Sequence, residues 1–437
     1  MATLSTTPSQ SRLAGAFRSL RHRNFRLFFA GQLISLIGTW MQSVAQSWLV
    51  YRLTGSALLL GAIGFASQIP IFLLSPVAGA IVDRHNRHRI VIATQAASMI
   101  LAFILAALTL VHIVTVRQVF VLASLLGFVN AFDIPARQAF IVEMVGKEDL
   151  MNAIALNSSM FNGARIVGPA VAGILVASIG EGWCFFANAV SYIAVIAGLF
   201  LMKVTRRERS QQTSALRDIK EGFAWVFNTK PIFALLLLVG LVSLVGMPYA
   251  VLMPIFADQI LHSGARGLGI LMGFSGAGAL IGGLILAAKS GLRGLGTWVA
   301  ASSACFGVFL IMFAYSRVFW ASATLLIPVA MFMMVQMAST NTLIQSMVPD
   351  RLRGRVMSVY SMMMMGMAPL GALLAGAFSN RIGAPLTVAL GGFCSMLGSA
   401  WFGTKLPGLR GEARRLIVAQ AYAGGDPPQE MTTLRES

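Results

Sequence analysis

The chain has 437 residues, of which 57% are hydrophobic and 11% charged, with a mean hydropathy of +0.77. A soluble domain carries about 25% charge. The formal charge of +18 would suggest nucleic acid in a soluble protein. Here the bases fall between apolar runs of about 20 residues, the length that crosses hydrocarbon, so the chain reads as a polytopic membrane protein with no nucleic-acid partner.

Residues 1–23 form a polar, basic leader with no small-residue cleavage site after a short apolar core, so the first span is expected to be retained. Span one, about Phe25 to Val50, carries Gln32, Gln42 and Gln46. Gln42 and Gln46 lie one turn apart on a single face. An amide facing lipid is costly, so these side chains are expected inside a bundle. Span two, about Ala57 to Val82, contains Gln68, Pro70 and Pro76. A tight polar turn follows, Gly79-Ala80-Ile81-Val82-Asp83-Arg84-His85-Asn86-Arg87-His88-Arg89. Its charges cannot sit unpaired in hydrocarbon. Gly79 is expected to allow close backbone approach, and Asp83 to cap a helix or pair with Arg84 or Arg87.

Spans three and four are expected at about Ile90 to Val111 and Gln118 to Val142. Span four holds Asn130, Asp133, Pro135 and Arg137, with Glu143 at its edge. Asp133 and Arg137 are four apart and can pair. Span five, about Asn152 to Ile179, has Asn157, Asn162 and Arg165, then a small-residue stripe of Gly163, Gly168, Pro169 and Gly173 that permits close helix contact. Span six is about Trp183 to Met202. Together, residues 24–203 read as one six-helix bundle.

Residues 204–230 form a linker. Leu216, Ile219, Phe223 and Phe227 recur at helical spacing opposite Arg217, Asp218 and Glu221, the pattern of an amphipathic helix lying on a membrane surface. Residues 231–403 repeat the six-span layout, with spans at about Pro231–Ala257, Leu268–Ala288, Leu295–Tyr315, Phe319–Ser346, Val356–Phe378 and Pro385–Phe402. The stretch Val348-Pro349-Asp350-Arg351-Leu352-Arg353-Gly354-Arg355 occupies the place in its half that Val145-Gly146-Lys147-Glu148-Asp149-Leu150 holds in the first, which indicates a duplication. Residues 404–437 are polar and rich in Gly and Pro, and are expected to be disordered.

Bases concentrate in alternate loops: Arg18, Arg21 and Arg23 before span one, Arg84, Arg87 and Arg89 after span two, Arg206, Arg207 and Arg209 in the linker, and Arg351, Arg353 and Arg355 after span ten. The opposite loops hold only Arg52, Arg117, Arg266, Arg317 and Arg381. This bias places both termini in the cytoplasm. Cys184, Cys305 and Cys394 lie within apolar runs and make no metal cluster or disulfide framework. No Gly-x-x-x-x-Gly-Lys-Ser/Thr motif and no catalytic triad occurs, so neither an ATP-coupled machine nor an enzyme is expected, and no cofactor.

The pattern Gly79-x-x-x-Asp83-Arg84-x-x-Arg87-x-Arg89 resembles the signature loop of the major facilitator superfamily, with Asn86 where that family carries Gly. Three further stretches, Asn24-Phe25-Arg26-Leu27-Phe28, Asp133-Ile134-Pro135-Ala136-Arg137-Gln138-Ala139-Phe140 and Asn162-Gly163-Ala164-Arg165-Ile166-Val167-Gly168-Pro169, resemble the branch holding the enterobactin exporter and the macrolide-efflux-like proteins. The resemblance implies an all-α fold of twelve membrane helices in two six-helix halves, a bacterial inner-membrane location, and export of a small organic or amphipathic cargo by proton antiport. It implies gating by Gly79, Asp83, Arg84, Arg87 and Arg137, and tight packing around Gly168-Pro169 that limits leak.

Several readings stay open. Asp133, Glu143 and Arg165 are candidates for proton coupling, with a permanent Asp133–Arg137 pair as the alternative. Arg165 could hold an anionic group of the cargo, pair with a carboxylate such as Asp133, or modulate a proton site. Gln42, Gln46, Gln68, Asn130, Asn157, Asn162 and Arg165 are candidates to line a cargo cavity. Asp258 is expected to be solvated, and Met362 to Met365 to pack. Import of a metabolite, or flipping of a lysolipid, is the alternative on the same fold. The expected partners are cargo, protons and membrane lipid, with the chain a monomer.

Overall fold

The computed structural model describes residues 17–146, 148–202, 215–289 and 291–423, apart from the side chains of residues 75, 76, 80, 83, 215–220 and 421–423. The basic linker residues Arg206, Arg207 and Arg209 and the end of the tail therefore lie outside the described residues. No strand occurs among the described residues. Only a helix satisfies every backbone polar group within one span, and a chain this apolar has no other open arrangement in hydrocarbon.

Among the described residues, twelve helices are long and apolar enough to cross a membrane, and the chain is a multi-pass membrane protein. The first half comprises α1 (Arg23–Thr54), α2 (Ala57–Arg84), α3 (Arg87–Leu110), α4 (Val116–Val145), α5 (Leu150–Ile179) and α6 (Glu181–Phe200). The second comprises α7 (Lys230–Ile260), α8 (Gly264–Ala288), α9 (Leu295–Tyr315), α10 (Phe319–Met347), α11 (Asp350–Ile382) and α12 (Ala384–Ala423). Local chemistry places the ends. Gly55, at φ +61°, stops α1, where an L side chain would be strained. Thr115 and Gln118 form a reciprocal capping box at the start of α4.

The pairings repeat with an offset of six. In the first half α2 packs on α4 and α3 on α6; in the second α8 packs on α10 and α9 on α12. The halves meet through α5 against α8 and α2 against α11, the same two pairs under that offset. This is the spatial form of the duplication read from the loops.

Three elements differ from expectation. Helix α7 is not regular: π-helical turns at Val242–Gly246 and Phe256–Ile260 flank a 3-10 stretch at Met247–Leu252. Pro248 and Pro254 each remove a backbone donor, so the i to i−4 ladder cannot run through. Helix α11 carries a π-helical turn at Met362–Gly366, within the methionine run. Helix α12 does not stop near Phe402 but runs to Ala423, so the first twenty residues of the expected disordered tail are helical. Leu406, Leu409, Ala413, Leu416 and Ile417 pack onto the core, and that apolar stripe outweighs the single Pro407.

The amphipathic linker helix spans Ala215–Asn228. It packs on the first turns of α11, where Arg355 pairs with Glu221.

Candidate functional site

A cavity of about 420 Å³ lies between the two halves. One wall, from α1, α2, α4, α5 and α6, carries most of the polar side chains, Gln42, Gln46, Gln68, Asn188 and Arg165 among them, beside apolar ones such as Val44, Leu60 and Leu126. The facing wall, from α7, α8 and α11, is largely apolar, with Met247, Val251, Leu268, Met272 and Ala372. Gln42 accepts a 2.6 Å hydrogen bond from Asn188, which joins α1 to α6. Tyr249 and Ser275, on the second wall, share a 3.1 Å hydrogen bond.

Arg165 is the one charged residue among those lining the cavity. Its guanidinium carbon stands 5.6 Å from the centre of the Trp40 ring, an attractive placement over the π face. Phe161, one turn earlier on α5, meets the same indole edge-on at 5.5 Å. Asp133 is not the partner of Arg165.

Of the other polar residues read as cavity-lining, Asn130, Asn157 and Asn162 are not among the lining residues, and Asn162 donates to the Ser158 carbonyl of its own helix at 2.9 Å. Asn188 lines the cavity and was not singled out from sequence, although a lone amide inside the apolar run Cys184–Val190 was a visible signal.

Asp133 is buried away from the cavity, between α3 and α4. Arg137 pairs with it at 3.0 Å, and Thr94 and Gln95 each donate to it at 2.8 Å. The carboxylate thus has three donors from two helices. Among the described residues, Gln95 Oε1 and Gln32 Oε1 are buried without a hydrogen-bond partner.

The polar turn between α2 and α3 is shorter than its motif. Helix α2 continues to Arg84, and a Cβ at Gly79 would meet nothing within 4 Å, so Gly79 serves no close approach here. Asn86, the position where the motif family carries Gly, is the N-cap of α3, its side chain accepting from the Arg89 amide at 3.2 Å. The capping role expected of Asp83 therefore belongs to Asn86; the Asp83 side chain lies outside the described ones. Arg87 pairs with Glu143 of α4 at 2.9 Å, and His88 reaches the Leu199 carbonyl of α6 at 2.8 Å. These contacts tie the turn to its own half.

At the same, arginine-rich end, a 3-10 turn at Arg18–Arg21 leads into α1. Arg18, Arg21 and His22 converge on Asp149, at 2.5, 2.8 and 2.7 Å. Ser19 donates through its amide and its hydroxyl to Asn152, at 2.9 and 2.7 Å. The hydrogen bond from His22 and the two guanidinium groups hold the Asp149 carboxyl down at about 2, against its burial. This cluster was missed in the sequence, where only the charge sign of the two segments hinted at it.

At the opposite end, Tyr51 donates to Asp258 across the two halves at 2.7 Å, so Asp258 is a partner of α1 and not merely solvated. Arg52 pairs with Glu181 at 2.7 Å. Close backbone approaches between the halves run from this end to the middle of the bundle. A Cβ on Gly376 would sit 2.6 Å from the Ala57 carbonyl oxygen, one on Gly173 2.8 Å from the Gly269 Cα, and one on Gly276 2.9 Å from the Arg165 carbonyl oxygen. In the stripe read on span five, Gly173 meets the second half, Gly168 meets Trp40 and Ile37 of α1, and Gly163 meets nothing within 4 Å.

The staphyloferrin A transporter of Staphylococcus aureus is 28% identical over 377 residues, 85% of this chain and 93% of that protein. Macrolide efflux protein A of Streptococcus pyogenes is 28% identical over 380 residues, 83% of this chain and 92% of that protein. The solved structure of the nucleoside transporter NupG superposes with a TM-score of 0.68 at 15% identity, covering 89% of this chain and 99% of that one, a likeness of fold. The transmembrane secretion effector family model matches residues 14–424. With that match across nearly the whole chain, on twelve spans in two halves with the same helix pairings around a shared cavity, the protein belongs to the transmembrane secretion effector family of major facilitator transporters.

Proposed function

We propose that this protein is a secondary active exporter, moving a small organic or amphipathic compound out of a bacterial cell across the inner membrane by alternating access. The observation that carries this reading is the cavity between the halves, with most of its polar side chains on one wall and an apolar wall opposite. Such a wall pair suits a cargo with both kinds of surface. The glycine-lined contacts α5–α8 and α2–α11 close the end opposite the arginine-rich loops. With those loops in the cytoplasm, as the bias of bases favours, these contacts stand on the outer side of the cavity, an arrangement that suits loading from within. The efflux named for the macrolide relative favours the outward direction.

Proton influx is the driving force we assign. At about 100 mV one proton moving inward yields about 2.3 kcal/mol, which supports roughly 50-fold accumulation. Asp133 is the coupling residue of first choice because it is a buried acid well inside a span, whereas the buried Asp149 and Glu181 stand at helix starts, and Arg137, Thr94 and Gln95 would re-pair when it takes up a proton. Glu143, bound to Arg87, links the signature turn to the same helix. Asp83, Arg84, Arg87 and Arg137 form the gate at the cytoplasmic end.

The test uses inside-out vesicles with an acid-inside gradient followed by a pH-sensitive dye. A panel of siderophores, macrolides and lysolipids is added in turn. Dissipation of the gradient on adding one compound, dependent on the protein and weakened in Asp133→Asn, is the expected result. Cargo movement without proton release would overturn the coupling, and no movement of any compound would overturn the export reading.

A further inference from the structure

The charge and polarity of the cavity walls specify a cargo class. Resting on the transporter reading above, we propose that the cavity takes an amphipathic organic anion, its carboxylate or equivalent acid group docked on Arg165 and its apolar body laid against the Met247–Val251–Met272 wall.

The lining includes one charge, and it is positive. A guanidinium has five N–H donors in a planar fork; among the described residues the Arg165 side chain makes no hydrogen bond or ion pair, and its guanidinium lies over the face of Trp40. Cation–π contact satisfies the face of the cation and leaves its N–H edge without acceptors. An arginine near the middle of a membrane helix is costly, and an anion that arrives with the cargo repays that cost in a way no neighbouring side chain does. Phe161 buttresses Trp40 edge-on, and the indole face beside the guanidinium limits its freedom, which favours two-point capture of a planar acid.

The amides add direction. Gln46 and Gln68 face the same space and make no hydrogen bond among the described residues, so they are free to donate to further oxygens of the cargo, while Gln42 is engaged with Asn188. The second half offers little to a polar group apart from Tyr249 and Ser275, which are paired to each other. A cation would meet Arg165 without an opposing carboxylate in the lining, so cationic amphiphiles are disfavoured by the same arrangement.

The test is equilibrium binding to the purified full chain in phosphatidylcholine nanodiscs, with no gradient, so that it stands apart from direction and coupling. The probes are 2-naphthylacetate, its neutral isostere 2-naphthylacetamide, and the cation 2-(2-naphthyl)ethylammonium, each followed by its own fluorescence anisotropy. Charge-assisted hydrogen bonds make the anion bind roughly ten- to hundredfold more tightly than the amide, with the cation weakest. Arg165→Met abolishes that preference, while Arg165→Lys, which keeps the charge and loses the fork, retains part of it. Met247→Ala with Met272→Ala weakens the anion and the amide by the same factor and leaves their ratio unchanged. Equal binding of anion and amide, an anion preference that survives Arg165→Met, or no saturable binding of any of the three would overturn the proposal. Failure of vesicle export with this anion preference intact would instead overturn the exporter reading alone.

Discussion

Asp133→Asn keeps the shape of the side chain and removes its charge, leaving Arg137 without a counter-ion. Breaking a buried ion pair by removing one partner costs about 3–5 kcal/mol, because the remaining charge is uncompensated. Asp133 is 3% exposed and Arg137 24% exposed, so the stranded cation is not fully enclosed by protein and can turn toward the helix end, and the loss falls at the low end, about 3 kcal/mol. Thr94 and Gln95 can still donate to the Asn oxygen, and they limit the loss further. Arg137→Gln, introduced second, removes the stranded cation. The double variant is therefore expected to lie within about 1 kcal/mol of the parent, because replacing both partners of such a pair is often near neutral. The assay is unfolding in mixed detergent micelles, read as a double-mutant cycle. A single variant as stable as the parent, or a double variant no more stable than the single, would refute the view that the pair holds α4 as a neutralised unit. The same proteins, reconstituted, separate structure from coupling. A double variant with parental stability that transports without proton movement places the coupling at Asp133.

Three further outcomes follow from the geometry. Gly173→Val brings a side chain against Gly269 of α8, where even a Cβ would be 2.8 Å from its Cα; overpacking of this kind costs about 1–3 kcal/mol and should part the end opposite the arginine-rich loops, measured as faster alkylation of Ser47→Cys from the outside in a background without native cysteines. Asp149→Asn should loosen the turn at Arg18–Arg21 and speed tryptic cleavage there. Because the Asp149 carboxyl is held down at about 2, its contribution is full above the usual carboxylate range and is lost only as pH falls through about 2, so cleavage of the parent should not change through this group between pH 5 and 8. Removal of residues 404–437 strips the apolar stripe Leu406, Leu409, Leu416 and Ile417 from the core; each half-buried side chain contributes on the order of 1 kcal/mol, and the thermal melting midpoint should drop.

Composition and spacing were sufficient for the spans, because burying an unpaired backbone in hydrocarbon leaves a long apolar run no alternative to a helix. The Asp133–Arg137 pair was legible for the same local reason: four residues of helix put two side chains on one face. The linker helix was legible from its period. The extension of α12 to Ala423 was not, since Gly and Pro in that stretch argue against a helix until the surface that receives Leu416 and Ile417 is known.

What the amino-acid sequence determined by itself was therefore everything set within one helix or by one helix in lipid: span number, the duplication, the bias of basic loops and the i, i+4 ion pair. Only the tertiary structure decided which polar residues share a space. Arg165 was compatible with Asp133, with cargo or with packing, and its placement over Trp40, away from Asp133, depends on how α5 lies against α1. The Asp149 cluster joins residues about 130 apart in the chain, and Tyr51 meets Asp258 across 207. Helical periodicity says which face of a helix is polar; it does not say which helix that face meets, because that choice is made by the packing of glycines such as Gly173 and Gly376 against a partner backbone far away in sequence.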